Sequence, residues 1–271
     1  LVWRRTVPEQ DVHELPGRPA RRVYTAVRRG SARRPALEEF RLRRLREMGC
    51  NALRTSHNPP SETLLDACDR MGFLVLDETR RFNSDDDGMR GFEAMLRRDR
   101  NHACVFMWSV ENEELFTHGR PVGYEIARRM VALERRLDNS GRMVTGAMNG
   151  GWFEKRHAAM AWDVMGFNYS PREYDRYHKL NPIKPMISTE DASAVSTRGP
   201  AFRDDAKHEL TDGDCAAPVW GGSTRSTWKA IADRDFMAGG FAWTGFDYHG
   251  ETHPFIWPTA SSSFGIVDIC G

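Results

Sequence analysis

The chain has 271 residues, 40% of them hydrophobic, enough for one large core or two small ones, and an α/β barrel needs roughly 250 residues. Its 39 basic and 38 acidic side chains nearly cancel, which excludes a global attraction to nucleic acid or an anionic membrane and points to a neutral small-molecule partner. Five scattered cysteines without a C-x-x-C pair argue against zinc or redox chemistry and fit free buried thiols in a reducing compartment, so the cytoplasm is the expected location. No apolar run approaches the roughly 18 residues of a membrane span, and no signal peptide opens the sequence. It begins at Leu1, however, and a secreted or periplasmic protein without its leader would read the same way.

Residues 1–35 hold nine arginines, no lysine and three acidic residues among interspersed Pro and Gly. Arginine without interleaved aromatics is a weak nucleic-acid signal. The segment therefore reads as an irregular Arg-rich stretch ahead of one domain over residues 36–271, with residues 22–27 its one strand candidate. From residue 36 onward, helical patterns alternate with short apolar runs, which argues for βα units around a parallel sheet. Leu37, Phe40, Leu45 and Met48 mark a helix over 36–48 that Gly49 stops, followed by a strand over 51–56. Ser61 can cap a helix carrying Leu64, Leu65, Cys68 and Met71 on one side until Gly72, and residues 73–78 form the next strand. A polar loop over 83–88 precedes a helix over 92–98 and the apolar run 105–110. Val122, Ile126, Met130, Leu133 and Leu137 stripe a helix over 122–137, with a strand over 143–147 behind it. Further strands are expected at 163–168, 185–189 and 240–246, and a helix at 172–180. With 22–27 the count reaches eight, a (β/α)8 TIM barrel whose first strand is irregular or missing.

In such a barrel the C-terminal ends of the strands converge on one mouth, so polar residues closing apolar strands are the candidates for chemistry. Strand 51–56 leads into His57 and Asn58, 73–76 into Asp77 and Glu78, and 105–110 into Asn112 and Glu113. Later, 164–167 leads into Asn168 and Tyr169, and 186–189 into Glu190. Two carboxylates from distant parts of the chain at one mouth are what glycosidic cleavage needs, one to protonate the departing oxygen and one to attack carbon or activate water. Glu113 and Glu190 are that pair, and Arg54 is a reasonable counter-ion for the nucleophile. A lone Glu at a strand end is more often a solvated loop residue. Asp77, Glu78 and His57 have equally simple structural readings, and Trp108 and Trp162 are expected in the core, whereas Trp243 could stack on a sugar face. No His/carboxylate cluster has a metal-ligand spacing, so neither a metal nor another cofactor is expected.

Six blocks, CNALRTSHNPP (50–60), LLDACDRMGFLVLDE (64–78), RRDRNHACVFMWSVENEE (97–114), DVMGFNY (163–169), PMISTEDASAVSTRG (185–199) and MAGGFAWTGFDY (237–248), resemble glycoside hydrolase family 2, and within it the bacterial β-galactosidases. They cover most of residues 37–271 in the family's order. The resemblance implies retaining hydrolysis of terminal non-reducing β-D-galactosides, with Glu113 as acid/base and Glu190 forming a glycosyl-enzyme ester. Their carboxyl groups should then lie about 5–5.5 Å apart. It further implies sugar or carboxylate contacts for Arg54, His57, Asn58, Asn112, Asn168, Tyr169 and Trp243. Flanking β-sandwich domains are expected in the full-length protein, and a homo-oligomer is compatible with it. Alternatives are a β-glucuronidase or β-mannosidase of the same family, or an inactive sugar-binding remnant; no basic cluster is dedicated to a uronic carboxylate, which favours a neutral sugar. Glu111 stands where the family usually has a small residue, often Gly, so a third carboxylate is expected to perturb the acid/base or distort the strand end.

Overall fold

The structure, a computed structural model, describes residues 35–211 and 213–271 together with the backbone of residues 23–26. Eight parallel strands form one sheet: β1 Val23–Ala26, β2 Ala52–Arg54, β3 Leu74–Glu78, β4 Val105–Asn112, β5 Met143–Ala147, β6 Met165–Asn168, β7 Met186–Ala192 and β8 Met237–Trp243. Their order is β5-β4-β3-β2-β1-β8-β7-β6. The two ends of the sheet meet through a parallel bridge from Met148 to Phe167 and the Met148 N–H to Gly166 O and Asn168 N–H to Met148 O bonds. The strand expected at 22–27 is β1, paired with β2 and β8; the rest of the Arg-rich segment lies outside the described residues.

Among the described residues seven α-helices join these strands: α1 Pro35–Glu47, α2 Glu62–Met71, α3 Asp86–Asp99, α4 Leu115–His118, α5 Pro121–Leu137, α6 Tyr174–Leu180 and α7 Thr224–Ala232. Ser61 caps α2 by accepting the Leu64 N–H, and Gly72 ends it in the left-handed conformation, φ +68°, which a residue without Cβ adopts freely. Helix α3 begins six residues before the expected start. Asp85 accepts the Gly88 N–H at 2.7 Å, and Asp86 and Asp87 fill the first turn, where the helix dipole favours negative charge. The acidic run that reads as a loop is a cap. Helix α7 has no counterpart in the sequence reading; Ser223 caps it, and the Asp214 carboxylate accepts the N–H groups of Thr224 and Arg225. Strand β7 continues through Glu190 to Ala192 and β8 starts at Met237, three residues earlier than expected.

The strand pleat places the site. Ala52, Leu76, Met107, Val164, Ile187 and Phe241 form an apolar plug inside the barrel. Two residues further on, each strand presents its next side chain on the same face, and there the chemistry changes: Arg54 follows Ala52, Glu78 follows Leu76, Ser109 follows Met107, Thr189 follows Ile187 and Trp243 follows Phe241. A polar layer thus sits on an apolar one. The opposite faces, with Leu53, Val75, Trp108, Val144 and Phe167, pack with the helices in the main core. Trp108 and Trp162 are buried as expected, and Trp108 donates its indole N–H to Asp138.

Asp77 and Glu78 part company on this pleat. Asp77 is fully buried outside the barrel near Asp99, and burial, with the Asp99 charge, raises its pKa well above the ordinary 3.8. A carboxyl whose folded pKa exceeds its unfolded one contributes stability that is complete below the unfolded value and is lost as pH rises through the folded one. Asp77→Asn, which cannot ionise, should therefore melt above wild type by a margin that widens as pH rises from about 4 through the folded pKa. A margin that is constant with pH would show that the Asp77 carboxyl has the same pKa folded and unfolded.

Candidate active site

Arg54 lies at the centre of the polar layer with no exposed surface. Its Nε donates to Glu78 Oε2 at 2.7 Å, Nη1 to Glu190 Oε2 at 2.6 Å and to Thr189 O at 3.2 Å, and Nη2 to Asn112 Oδ1 at 2.7 Å. Burial disfavours its charge, but Glu78 and Glu190 more than compensate and hold the pKa above the ordinary arginine value. Burial likewise works against ionised Glu78, yet Arg54, with His57 and Ser109, brings its pKa below the usual carboxylate range. His57 Nδ1 lies 2.7 Å from Glu78 Oε1, and its ring stacks on Trp243 at 5.2 Å between centroids and 7° between planes.

Above this layer opens a cavity of about 1370 Å³ lined by His57, Asn58, Asn112, Glu113, Asn168, Tyr169, Glu190 and Trp243 among others. Eight of the nine residues singled out from sequence thus share one cavity. The ninth, Arg54, is enclosed beneath its floor and touches carboxylates, so no contact from it to a sugar is drawn. Trp243 is 4% exposed; its ring stacks on His57, meets Tyr248 edge-on and packs with Val195, Leu210, Phe255 and Phe264.

The two carboxyl groups differ in company. Glu190 accepts from Arg54 through Oε2 and from the Tyr169 hydroxyl through Oε1 at 2.8 Å. Burial and the Glu190 charge raise the Tyr169 pKa well above 10, so the phenol keeps the proton it donates. Glu113 accepts one bond, from Asn168 Nδ2 at 3.0 Å. Burial first, then the charge of Glu190, raises its pKa above the ordinary 4.5, against the pull of Asn168 and Arg54. The Asn168 amide is oriented by Thr189, whose hydroxyl donates to Asn168 Oδ1 at 2.7 Å, so its Nδ2 serves Glu113 and Asn112. Asn112 Oδ1 receives both Arg54 and Asn168, which leaves its NH₂ for the cavity.

Four non-glycine residues at the strand ends adopt left-handed backbone: Glu113 (φ +57°), Tyr169 (+50°), Ala192 (+74°) and Ser193 (+53°). Such conformations cost on the order of 1 kcal/mol or more each and persist where surroundings over-determine them. Three of the four have an N–H that bonds across to the neighbouring strand: Glu113 to Ala147 O, Tyr169 to Glu190 O and Ser193 to Trp243 O.

Sequence reasoning left Glu78 open between a structural and a site role, and missed Ser109, Thr189 and Ser193. The signal for Ser109 and Thr189 was the pleat, two residues beyond an apolar inward position; Ser193 follows Asp191 and carried no such signal. It also missed Trp152 and Trp220, which line the cavity from loops and carry no periodicity. A cluster that spacing did not reveal, Asp69, His102 and Cys104, comes together at the opposite end of the barrel with ligand atoms within 4.8 Å of one another. Asp69 already accepts from the Cys104 N–H and pairs with His102 Nδ1, each at 2.7 Å.

Paired carboxyl groups of unlike environment thus lie at the mouth of an eight-stranded parallel barrel, the arrangement that glycosidic cleavage calls for. The family model for the TIM barrel domain of glycosyl hydrolases family 2 matches residues 29–207, and the chain belongs to that family. It is 33% identical to the β-galactosidase BoGH2A of Bacteroides ovatus over 86% of this chain and 34% of that protein. It is 28% identical to a putative β-glucuronidase of Formosa agariphila over 82% of this chain and 24% of that protein. A solved family 2 glycosyl hydrolase from Bacteroides cellulosilyticus superposes with a TM-score of 0.72 at 27% identity, covering 90% of this chain and 31% of that one. The chain spans about a quarter to a third of the length of these curated relatives.

Removing Arg54 while keeping its volume tests the floor. Arg54→Met leaves Glu78 and Glu190 buried without a cation, and should lower unfolding free energy by about 3–5 kcal/mol in denaturant titration. A loss below about 1 kcal/mol would mean that the carboxyls find other partners or water.

Proposed function

We propose that the barrel hydrolyses terminal non-reducing β-D-galactosides with retention of anomeric configuration, Glu190 acting as nucleophile and Glu113 as acid/base. The observation that carries this reading is the unequal treatment of the two carboxyl groups. The nucleophile must be ionised, and Glu190 is clamped by a guanidinium and a phenol. The acid must hold a proton until it is needed, and the Glu113 pKa is raised. In the first step Glu113 gives its proton to the glycosidic oxygen as the bond to the anomeric carbon breaks, and Glu190 forms an ester with that carbon. In the second, Glu113 takes a proton from water, the water oxygen attacks the same carbon, and Glu190 leaves as carboxylate. The Asn112 NH₂, Asn58 and the His57–Trp243 stack supply contacts for the sugar.

Galactose as the sugar is supported by the extent of similarity to the Bacteroides β-galactosidase. A β-glucuronide is the second reading. Arg80 and Arg172, both exposed, line the cavity and offer cations for a uronic carboxylate, and several relatives are named β-glucuronidases. Mass spectrometry of the intact chain after incubation with 2-fluoro-substituted activated β-galactoside and β-glucuronide decides. One galactosyl adduct on Glu190 is expected. An adduct from the glucuronide alone would reassign the sugar, an adduct elsewhere the nucleophile, and galactose binding without either adduct or turnover would favour an inactive sugar-binding remnant.

Glu113→Gln should lower kcat/KM by about 10²–10⁴-fold for glycosides of poor leaving groups and far less for activated aryl glycosides. Because the Glu113 pKa is raised, wild-type activity should be retained beyond the ordinary carboxylate range and fall as pH rises through that pKa. In the variant this alkaline limb should disappear for the activated substrates. Equal losses on both substrate types would contradict the assignment.

A further inference from the structure

Glu111, the residue before the Asn112–Glu113 pair, is fully buried but does not face the cavity. The β4–β5 register shifts between Ser109 and Asn112, with Thr145 and Ala147 as their partners, so β4 carries one extra residue there. This bulge turns Glu111 to the outer face while Asn112 stays inward. Gly146 makes the room: a Cβ at that position would lie 2.8 Å from Glu111 Cγ and 2.3 Å from the Trp162 ring. The strand end carries this bulge, and the third carboxylate lies behind the site.

There Glu111 Oε2 accepts the backbone N–H of Glu114 at 3.1 Å and pairs with His118 Nδ1 at 3.2 Å. His118 is itself fully buried at the end of α4. Helix α5 closes on it through Gly123, where a Cβ would lie 2.3 Å from the Thr117 carbonyl oxygen and 2.8 Å from His118 Cα. Glu113, in its left-handed conformation, is consequently pinned on both sides, by its own N–H to Ala147 O and by the next N–H to Glu111. A small residue at position 111 has no atom that reaches the Glu114 N–H. Burial raises the Glu111 pKa against the pull of His118 and that N–H.

We propose that Glu111, oriented by His118, is a positioning residue that fixes the Glu113–Glu114 turn and so aims the Glu113 carboxyl at the departing oxygen. The inference rests on the reading of Glu113 as acid/base. A pair that merely tied α4 to β4 would, when broken, slow all substrates alike; a positioning residue affects the proton-transfer step selectively.

The test compares Glu111→Ala and Glu111→Gln in the full chain on β-glycosides of poor and activated leaving groups. Glu111→Ala should lose about 10²-fold in kcat/KM on the poor leaving group and less than about threefold on the activated one. Glu111→Gln should recover most of the loss, because its carbonyl oxygen still accepts the Glu114 N–H. Residue-resolved hydrogen exchange should show the Glu114 amide of Glu111→Ala exchanging at least about tenfold faster, with the Val144 amide unchanged. Equal losses on both leaving groups, or an unaltered Glu114 exchange rate, would overturn the proposal. A wild-type chain inactive on every glycoside would remove the acid/base assignment instead, and the exchange rates would still decide whether Glu111 holds the turn.

Discussion

The guanidinium of Arg54 is the constraint on which the site depends. A charge with no exposed surface is tolerated only when its donors are matched by acceptors of opposite charge and fixed direction. Here Glu78, Glu190, Asn112 and the Thr189 carbonyl, from β3, β7 and β4, supply them. Because the fork is planar, it sets where the Glu190 carboxylate plane lies relative to Asn112 and, through Asn168, to Glu113. Lysine could hold the charge but not the directions.

An apolar plug backs this polar layer. Ala52, Leu76, Met107, Val164, Ile187 and Phe241 fill the barrel beneath it, and the cavity opens on the other side. Burial then separates the two groups by their partners. Glu190 has a cation beside it; Glu113 has an amide and a neighbouring negative charge. The same enclosure that would penalise any ionised group makes the difference between them usable for chemistry.

Much of this was legible in the sequence because barrel strands are short and the pleat is regular. Polar residues directly after apolar runs, such as Asn112, Glu113, Asn168 and Glu190, fall at the mouth by geometry alone. What was not legible has physical reasons. Asp85 to Asp87 read as loop because acidic residues favour both turns and helix N-termini, and only the Gly88 hydrogen bond separates the two. Helix α7 is nine residues long and buries only Thr227 and Ile231, too little for a periodic signal. Glu111 could not be placed because a single bulge reverses the face that alternation assigns.

The left-handed residues at the mouth have a wider consequence. The N–H groups of Glu113, Tyr169 and Ser193 end in the sheet rather than in the loops that follow, so these three cavity-lining side chains are referenced to the adjacent strand. The segments downstream, including those that bring Arg172, Trp220 and His249 to the cavity, take no part in these three bonds. Changes in their length or composition leave in place the bonds that seat Glu113, Tyr169 and Ser193. A scaffold built this way can vary the rim of its cavity while the carboxyl groups stay where the barrel holds them.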